Sequence, residues 1–131
     1  MFNNPMSAEL VIVLPWPDAV LSPNTRTHWS KRYRATKRYR RACSLLTASQ
    51  VGRRLAMPER LHIRMEFCAP SRRRYDLDNM VARMKSGIDG ICDCLQINDA
   101  RFQSQTAVFA EYDSTTALNG GAVRIAIQGI K

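Results

Sequence analysis

Residues 60–79, RLHIRMEFCAPSRRRYDLDN, carry a strand pattern, a charged loop and the start of a helix pattern in one run. Apolar and polar residues alternate from Leu61 to Phe67, which predicts a half-buried strand over Arg60–Cys68. Apolar residues then recur every three or four positions, which predicts a helix from about Asn79 to Cys92. The predicted fold is therefore built around a strand–loop–helix unit.

Three more strands and one more helix are predicted on either side of this unit. Glu9–Trp16 is a run of branched apolar residues that ends at prolines, which indicates a buried strand. A helical pattern follows over about 28–51. Thr106–Tyr112 and Ala122–Gln128 have strand patterns, and the Asn119–Gly121 turn between them predicts a hairpin.

The elements follow one another in the order β-α-β-α-β-β. This order predicts an α+β fold with a mixed four-stranded sheet and two helices packed on it. We expect the first crossover to join a parallel pair of strands, and the last two strands to pair antiparallel. The expected core stripe of the first helix is Ala35, Tyr39, Ala42 and Leu46. That of the second is Met80, Met84, Ile88, Ile91 and Leu95.

The chain has 131 residues and a formal net charge of +9 at pH 7. This length suits one domain, which we assign to residues 1–131 with about 1–8 as a frayed leader. No apolar run approaches the roughly 20 residues of a membrane span, and residues 1–7 lack the pattern of a secretory signal. The expected location is the cytoplasm, and the positive charge favours nucleic acid over a membrane surface as partner.

Asp76 and Asp78 lie two residues apart, directly after the arginine run Arg72–Arg74. Two carboxylates this close repel each other unless a cation lies between them, and Mg²⁺ prefers such oxygen ligands. The arginines can hold phosphate in bidentate fashion. This pattern indicates phosphoryl chemistry on a polyanion, whereas the alternative is a charged surface turn with incidental ion pairs. Asp78 or Asn79 is the expected N-cap of the second helix.

The first helix carries a basic side without acidic residues of its own. No Asp or Glu occurs between Lys31 and Gln50. Like charges at helical spacing cost about 0.2–0.5 kcal/mol per pair, which a docked polyanion would offset. The alternative is a solvated face, the usual fate of a charge run. We favour contact with phosphates through Lys31, Arg34, Lys37, Arg38, Arg40 and Arg41.

The cysteines and histidines do not indicate a second kind of site. Cys43, Cys68, Cys92 and Cys94 lack paired C-x-x-C spacing, so a zinc site is only weakly indicated and reduced thiols are expected. The two histidines, His28 and His62, lack ligand spacing to these cysteines. No serine or cysteine nucleophile set is evident.

Taken in order, several of these residues resemble the RusA family of Holliday junction resolvases, which are common in phages and prophages. The similarity begins at Leu14–Pro17, continues through Asn24 and is greatest over Ile63–Asn79. It ends at Asp99, in the loop after the second helix. Each piece alone is a weak signal, but the combination is specific. Residues 1–131 are therefore expected to form one RusA-like endonuclease domain.

The resemblance implies Mg²⁺-dependent hydrolysis of DNA phosphodiesters in recombination and repair. The enzyme would act as a homodimer that nicks two opposed strands of a four-way junction, in a bacterial or phage-infected cell. It also implies that Asp76, Asp78 and Asp99 bind the metal ion and are essential for catalysis. Asn98, beside Asp99, is at most a further oxygen ligand.

The chain differs from the family pattern at one catalytic position. The family has a lysine early in the second helix, but this chain has Ala82 four residues after Asp78. Lys85 lies one helical turn further along the same face, which also includes Asp89. We assign the catalytic role to Lys85, with Arg83 as the competitor.

Two other functions stay open beside the resolvase. A non-catalytic basic nucleic-acid-binding module explains the charge but leaves the aspartates without a role. A general Mg²⁺-dependent nuclease shares the site and differs only in substrate. In each case the affinity for DNA is expected to fall steeply with salt. The expected DNA contacts are Asn24, Lys31, Arg34, Lys37, Arg38, Arg41, Arg72, Arg73 and Arg74.

Overall fold

The structure is a computed structural model that describes residues 9–53 and 55–130. The predicted leader, residues 1–8, lies outside the described residues. Two 3₁₀ turns span Ala19–Leu21 and Asp99–Arg101. The longer elements are β1 (Glu9–Pro15), α1 (Trp29–Val51), β2 (Leu61–Cys68), α2 (Leu77–Arg83), α3 (Lys85–Leu95), β3 (Phe102–Phe109), α4 (Ser114–Leu118) and β4 (Ala122–Gly129).

The strands form a mixed four-stranded sheet in the order β1-β4-β2-β3. β2 pairs parallel with β3, whereas β4 pairs antiparallel with both β2 and β1. The predicted α+β class and mixed sheet are confirmed. Both predicted pairings are wrong, although the relative strand directions are right. β4 lies between β1 and β2, and β2 lies between β3 and β4.

The turn before β4 shows why the predicted hairpin does not form. The chain leaves β3 and must pass the end of β2 before it enters the sheet beside it. Gly121 has φ +80° there, and a Cβ on it would lie 2.9 Å from the carbonyl oxygen of Cys68 and from Pro70. The glycines of this turn therefore allow a left-handed, close crossing over β2 instead of a two-residue hairpin.

The second predicted helix is two helices that meet at Met84. The Met84 N–H donates to the carbonyl of Val81 at 3.1 Å, a tighter turn than the α-helical one. The Met84 carbonyl then accepts from the Ile88 N–H at 2.9 Å, and α3 continues from there. Met84 itself is fully buried. Because of this break, Lys85 is the first residue of α3.

Helix α3 packs closely along α1, and buried residues of both helices share one core with the sheet. A Cβ on Gly90 would lie 2.2 Å from the carbonyl oxygen of Arg40, so α3 approaches the α1 backbone at this point. The row of α1 that faces the core is Ala35, Tyr39, Cys43 and Thr47. The predicted stripe is therefore wrong in its second half, where Ala42 and Leu46 are only half-buried. Within the described residues, no helix is long and apolar enough to cross a membrane.

Candidate catalytic site and nucleic-acid surface

Lys85 joins two carboxylates at the start of α3. Its Nζ donates to Asp99 Oδ2 at 2.8 Å and to Asp89 Oδ1 at 3.0 Å. Asp89 follows Lys85 by one helical turn, and Asp99 comes from the 3₁₀ turn after α3. The expected shared face of Lys85 and Asp89 is thus confirmed. Asp89 was not among the predicted site residues, although its i,i+4 spacing from Lys85 is a signal for the pair.

We call Lys85, Asp89 and Asp99 the Lys85 group. Ion pairs hold its side chains together at the protein surface. The Asp99 and Asp89 carboxylates raise the pKa of Lys85, with the hydrogen bond to Asp99 as the largest cause. The Lys85 ammonium in turn lowers the pKa of Asp99. The Lys85 side chain is 67 % exposed and that of Asp99 48 %. The ammonium and the Asp99 carboxylate are therefore charged at neutral pH and accessible to a ligand.

Asp76 and Asp78 lie together at the start of α2. Asp76 is the N-cap, and its Oδ1 accepts from the Asn79 backbone N–H at 3.1 Å. The prediction of Asp78 or Asn79 as N-cap is therefore wrong by two or three residues. Asp78 lies in the first turn of α2 and is exposed, and its carboxylate forms no hydrogen bond or ion pair with the described residues. The partial positive charge of a helix N-terminus favours carboxylates at these positions.

The predicted metal ligands form two separate contact groups. Asp76 and Asp78 share the start of α2, whereas Asp99 contacts Lys85. Over residues 9–53 and 55–130, no group of three or more His, Cys, Asp or Glu side chains is placed to hold a metal ion. The donor chemistry suits Mg²⁺, but the cation shared by Asp89 and Asp99 is the Lys85 ammonium. Metal binding by Asp76, Asp78 and Asp99 stays a prediction.

Arg83, the competitor of Lys85, is 8 % exposed and tied into the fold. Its Nε donates to Asn79 Oδ1 at 3.0 Å, and its Nη1 donates to the Pro17 carbonyl at 3.4 Å. Asn79 donates onward to Ser22 Oγ at 2.6 Å. Burial lowers the pKa of Arg83. Arg83 therefore links α2 to the loop after β1, whereas Lys85 is the exposed cation beside Asp99.

The arginine run lines a cavity of about 280 Å³ at the end of β2 and β3. The guanidinium of Arg72 lies 4.1 Å from the ring centroid of Tyr112, and that of Arg73 lies 4.7 Å from that of Tyr75. Tyr75 directly precedes Asp76. Among the described residues no carboxylate lies within 4 Å of Arg72, Arg73 or Arg74. The guanidiniums of Arg72–Arg74 are therefore available to bind an anion beside Asp76 and Asp78.

Helix α1 presents most of its cations to solvent. Arg40 is exposed as well but is ion-paired: its Nε and Nη2 donate to the two oxygens of Asp93 at 2.7 and 2.8 Å, and its Nη1 lies 3.9 Å from Asp89 Oδ2. The sequence contains no local acidic partner for Arg40, so only the packing of α3 on α1 reveals this ion pair. The exposed predicted contacts without an ion pair to the described residues are Lys31, Arg34, Lys37, Arg38 and Arg41. Asn24 is also exposed.

Two aromatic side chains near the start of α1 were not among the predicted site residues. Trp29 is 73 % exposed and Tyr33 is 57 % exposed. They lie at i and i+4, which places both rings on one side of the helix. Their spacing is visible in the sequence, but their exposure follows only from the direction in which α1 packs.

The fold and these side chains define an α+β domain with a basic helix, an arginine-lined cavity and two small groups of carboxylates. No family model matches the chain. The chain is 39 % identical over 121 residues to an uncharacterized protein of Xylella fastidiosa (strain Temecula1), an alignment that covers 91 % of this chain and 76 % of that protein. The chain belongs to the same family as this Xylella protein.

Proposed function

We propose that the protein is a Mg²⁺-dependent endodeoxyribonuclease of RusA type that resolves four-way DNA junctions. It would act as a homodimer in the cytoplasm of a bacterial or phage-infected cell. The single observation that carries the proposal is the contact of 2.8 Å between Lys85 Nζ and Asp99 Oδ2. This contact pairs an exposed lysine with a carboxylate that lies 21 residues after the acidic pair in the sequence.

The exposed carboxylates favour an enzyme over a simple binding module. A surface that binds phosphate only by charge is weakened by negative groups within it. Asp76 has a structural role as N-cap, but Asp78 has no partner among the described residues. A role as metal ligand accounts for an unpaired carboxylate directly after three arginines. The start of α2 already favours carboxylates electrostatically, and metal binding would give the exposed Asp78 carboxylate a function there.

The chemistry divides among the side chains as follows. Mg²⁺, held by Asp76, Asp78 and Asp99, would supply an activated water and a polarised phosphoryl group. Hydrolysis would join the water oxygen to phosphorus, break the bond from phosphorus to one sugar oxygen, and pass a proton from the water to that oxygen. The Lys85 ammonium stabilises the negative charge on the phosphoryl oxygens. Arg72–Arg74 bind phosphates beside the cut strand.

Cleavage of labelled four-way, forked and linear duplex DNA tests this function. The wild type is compared in Mg²⁺ and in EDTA with D76N and D113N. Asn caps helices about as well as Asp, so D76N keeps the cap of α2, and D113N is the matched change at the N-cap of α4. We expect paired, Mg²⁺-dependent nicks in the junction from the wild type and D113N but not from D76N. Cleavage by D76N at the wild-type rate would contradict the proposal that Asp76 is a metal ligand needed for cleavage.

A non-catalytic basic module is the second candidate function. The observation that favours it is the absence, over the described residues, of three acidic side chains placed to hold a metal ion. This candidate predicts salt-sensitive junction binding without cleavage under any metal condition. Equal cutting of linear duplex would instead indicate a general nuclease.

A further inference from the structure

Trp29 and Tyr33 form an exposed aromatic pair on the most basic helix of the protein. Their exposed fractions are 73 % and 57 %, so neither ring contributes to the core. Lys37 follows one turn later, with its Nζ 5.1 Å from the centroid of the Tyr33 ring. The three residues lie at i, i+4 and i+8 and span about 12 Å of helix. We call them the α1 aromatic track.

The track runs toward the Lys85 group. Arg40 lies a further turn along α1 and approaches Asp89 at 3.9 Å. Arg32 and Thr36, on the flank of the track, line a cavity of about 210 Å³ together with Lys85 and Asp89. A chain that follows the track along α1 therefore arrives beside the Lys85–Asp99 pair.

The chemistry of the track fits unpaired nucleotides. Each base has a flat π-face that stacks on an aromatic ring irrespective of base identity, and cations between the rings hold the phosphates. Base pairing and stacking hide these faces within a duplex, but bases at a branch point or in a single strand expose them. A second copy of this chain is a poorer occupant, because it would bring the Lys31, Arg34 and Lys37 charges of both copies together.

We propose that Trp29 and Tyr33 stack unpaired bases of a DNA strand whose phosphates lie along α1 toward Lys85. The inference deepens the proposed function, since it names the part of a branched substrate that the protein contacts outside the arginine cavity. It predicts a preference for single-stranded and branched DNA over a continuous duplex. It does not depend on metal binding or on cleavage.

The fluorescence of Trp29 tests the proposal directly. The chain has two tryptophans, and Trp16 is half-buried against Phe67 and Tyr75, with ring centroids 6.2 and 5.1 Å away. Wild type and W29F are titrated in EDTA with oligothymidylate and with a duplex of equal length. We expect single-stranded DNA to quench the wild-type emission and to leave the W29F emission, which comes from Trp16, nearly unchanged.

Affinity measurements on W29A supply the second readout. Loss of one stacked base predicts about 5- to 140-fold weaker binding of oligothymidylate, with a smaller change for the duplex. L45A removes another exposed side chain of α1, 50 % exposed, and should bind like the wild type. Because Trp29 is largely exposed, W29A keeps the core intact.

Three results would overturn the proposal. These are binding of oligothymidylate without quenching of Trp29, equal affinity of W29A and wild type, and a Trp29 emission that changes with protein concentration in the absence of DNA. The last result would assign the track to a second copy of the chain. Mg²⁺-dependent junction cleavage by the wild type, measured in parallel, separates failure of this proposal from failure of the proposed function.

Discussion

The close approach of α3 to the α1 backbone at Gly90 predicts a large effect of one methyl group at this position. A Cβ at this position would lie 2.2 Å from the carbonyl oxygen of Arg40, roughly 1.2 Å short of the 3.4 Å at which ordinary contact begins. The obstacle is the backbone of α1, which cannot rotate away as a side chain can. The two helices must therefore separate, and Arg40 moves with the α1 backbone.

The free energy of unfolding of G90A follows from two opposing effects. Overpacking costs about 1–3 kcal/mol, and a backbone obstacle places the cost at the upper end. Replacing glycine by alanine inside a helix returns about 1 kcal/mol. The expected net loss is about 2 kcal/mol, which for a domain of this size lowers Tm by about 6–10 °C.

Thermal and urea unfolding, followed by circular dichroism, measure this loss. G87A is the graded comparison, because its Cβ would meet an atom of the Tyr39 ring at 2.7 Å and no α1 backbone atom among its three nearest neighbours. We expect G90A to lose more stability than G87A, with an unchanged dependence on urea. A G90A protein as stable as the wild type would contradict the close packing of α1 on α3.

Three further predictions concern individual side chains. K85M should raise the pKa of Asp99 toward its ordinary value, and carboxyl NMR titration measures this change. Folding lowers the pKa of Asp99 in the wild type, so the Lys85–Asp99 pair stabilises the folded protein above the ordinary Asp pKa. This stabilisation is lost as the pH falls through the folded-state pKa. Burial raises the pKa of Cys43 and of Cys92 to about 12, so both thiols should react with a disulfide reagent at pH 8 only after unfolding, and rapid labelling of the native protein would contradict their burial. D76N should unfold at the temperature of the wild type, whereas D76A should lose about 1 kcal/mol through the missing N-cap, and equal stability of the two variants would exclude the cap.

The local patterns of the sequence predict the elements but not all of their partners. Leu61, Ile63, Met65 and Phe67 alternate in the sequence, and all four are buried in β2. The place of β4 depends instead on contacts across the whole chain. The Asn-Gly-Gly turn is compatible with a hairpin between β3 and β4 and also with a crossing past the end of β2. Only the close approach of Gly121 to Cys68 distinguishes the crossing from the hairpin. The pairing of β4 with β1 on one edge and β2 on the other places it inside the sheet.

The candidate site was predictable to a similar degree. The shared helical face of Lys85 and Asp89 follows from their spacing, and Lys85 also contacts Asp99. The grouping of Lys85 and Asp99 with Asp76 and Asp78 stays a prediction. The break at Met84 has no glycine or proline to mark it, because residues 80–85 all suit a helix interior. The Arg40–Asp93 ion pair joins residues 53 apart and depends on the packing of α1 on α3.

The initial rate of junction nicking as a function of Mg²⁺ concentration, for the wild type and D78N, tests the central claim most directly. Asp78 is exposed and has no partner among the described residues, so D78N should fold and bind the junction like the wild type. We predict a saturable Mg²⁺ dependence, no product in EDTA, and a rate for D78N at least about 100-fold lower. Equal rates for D78N and the wild type, or nicking by the wild type in EDTA, would contradict the claim that these aspartates hold Mg²⁺ for phosphodiester hydrolysis.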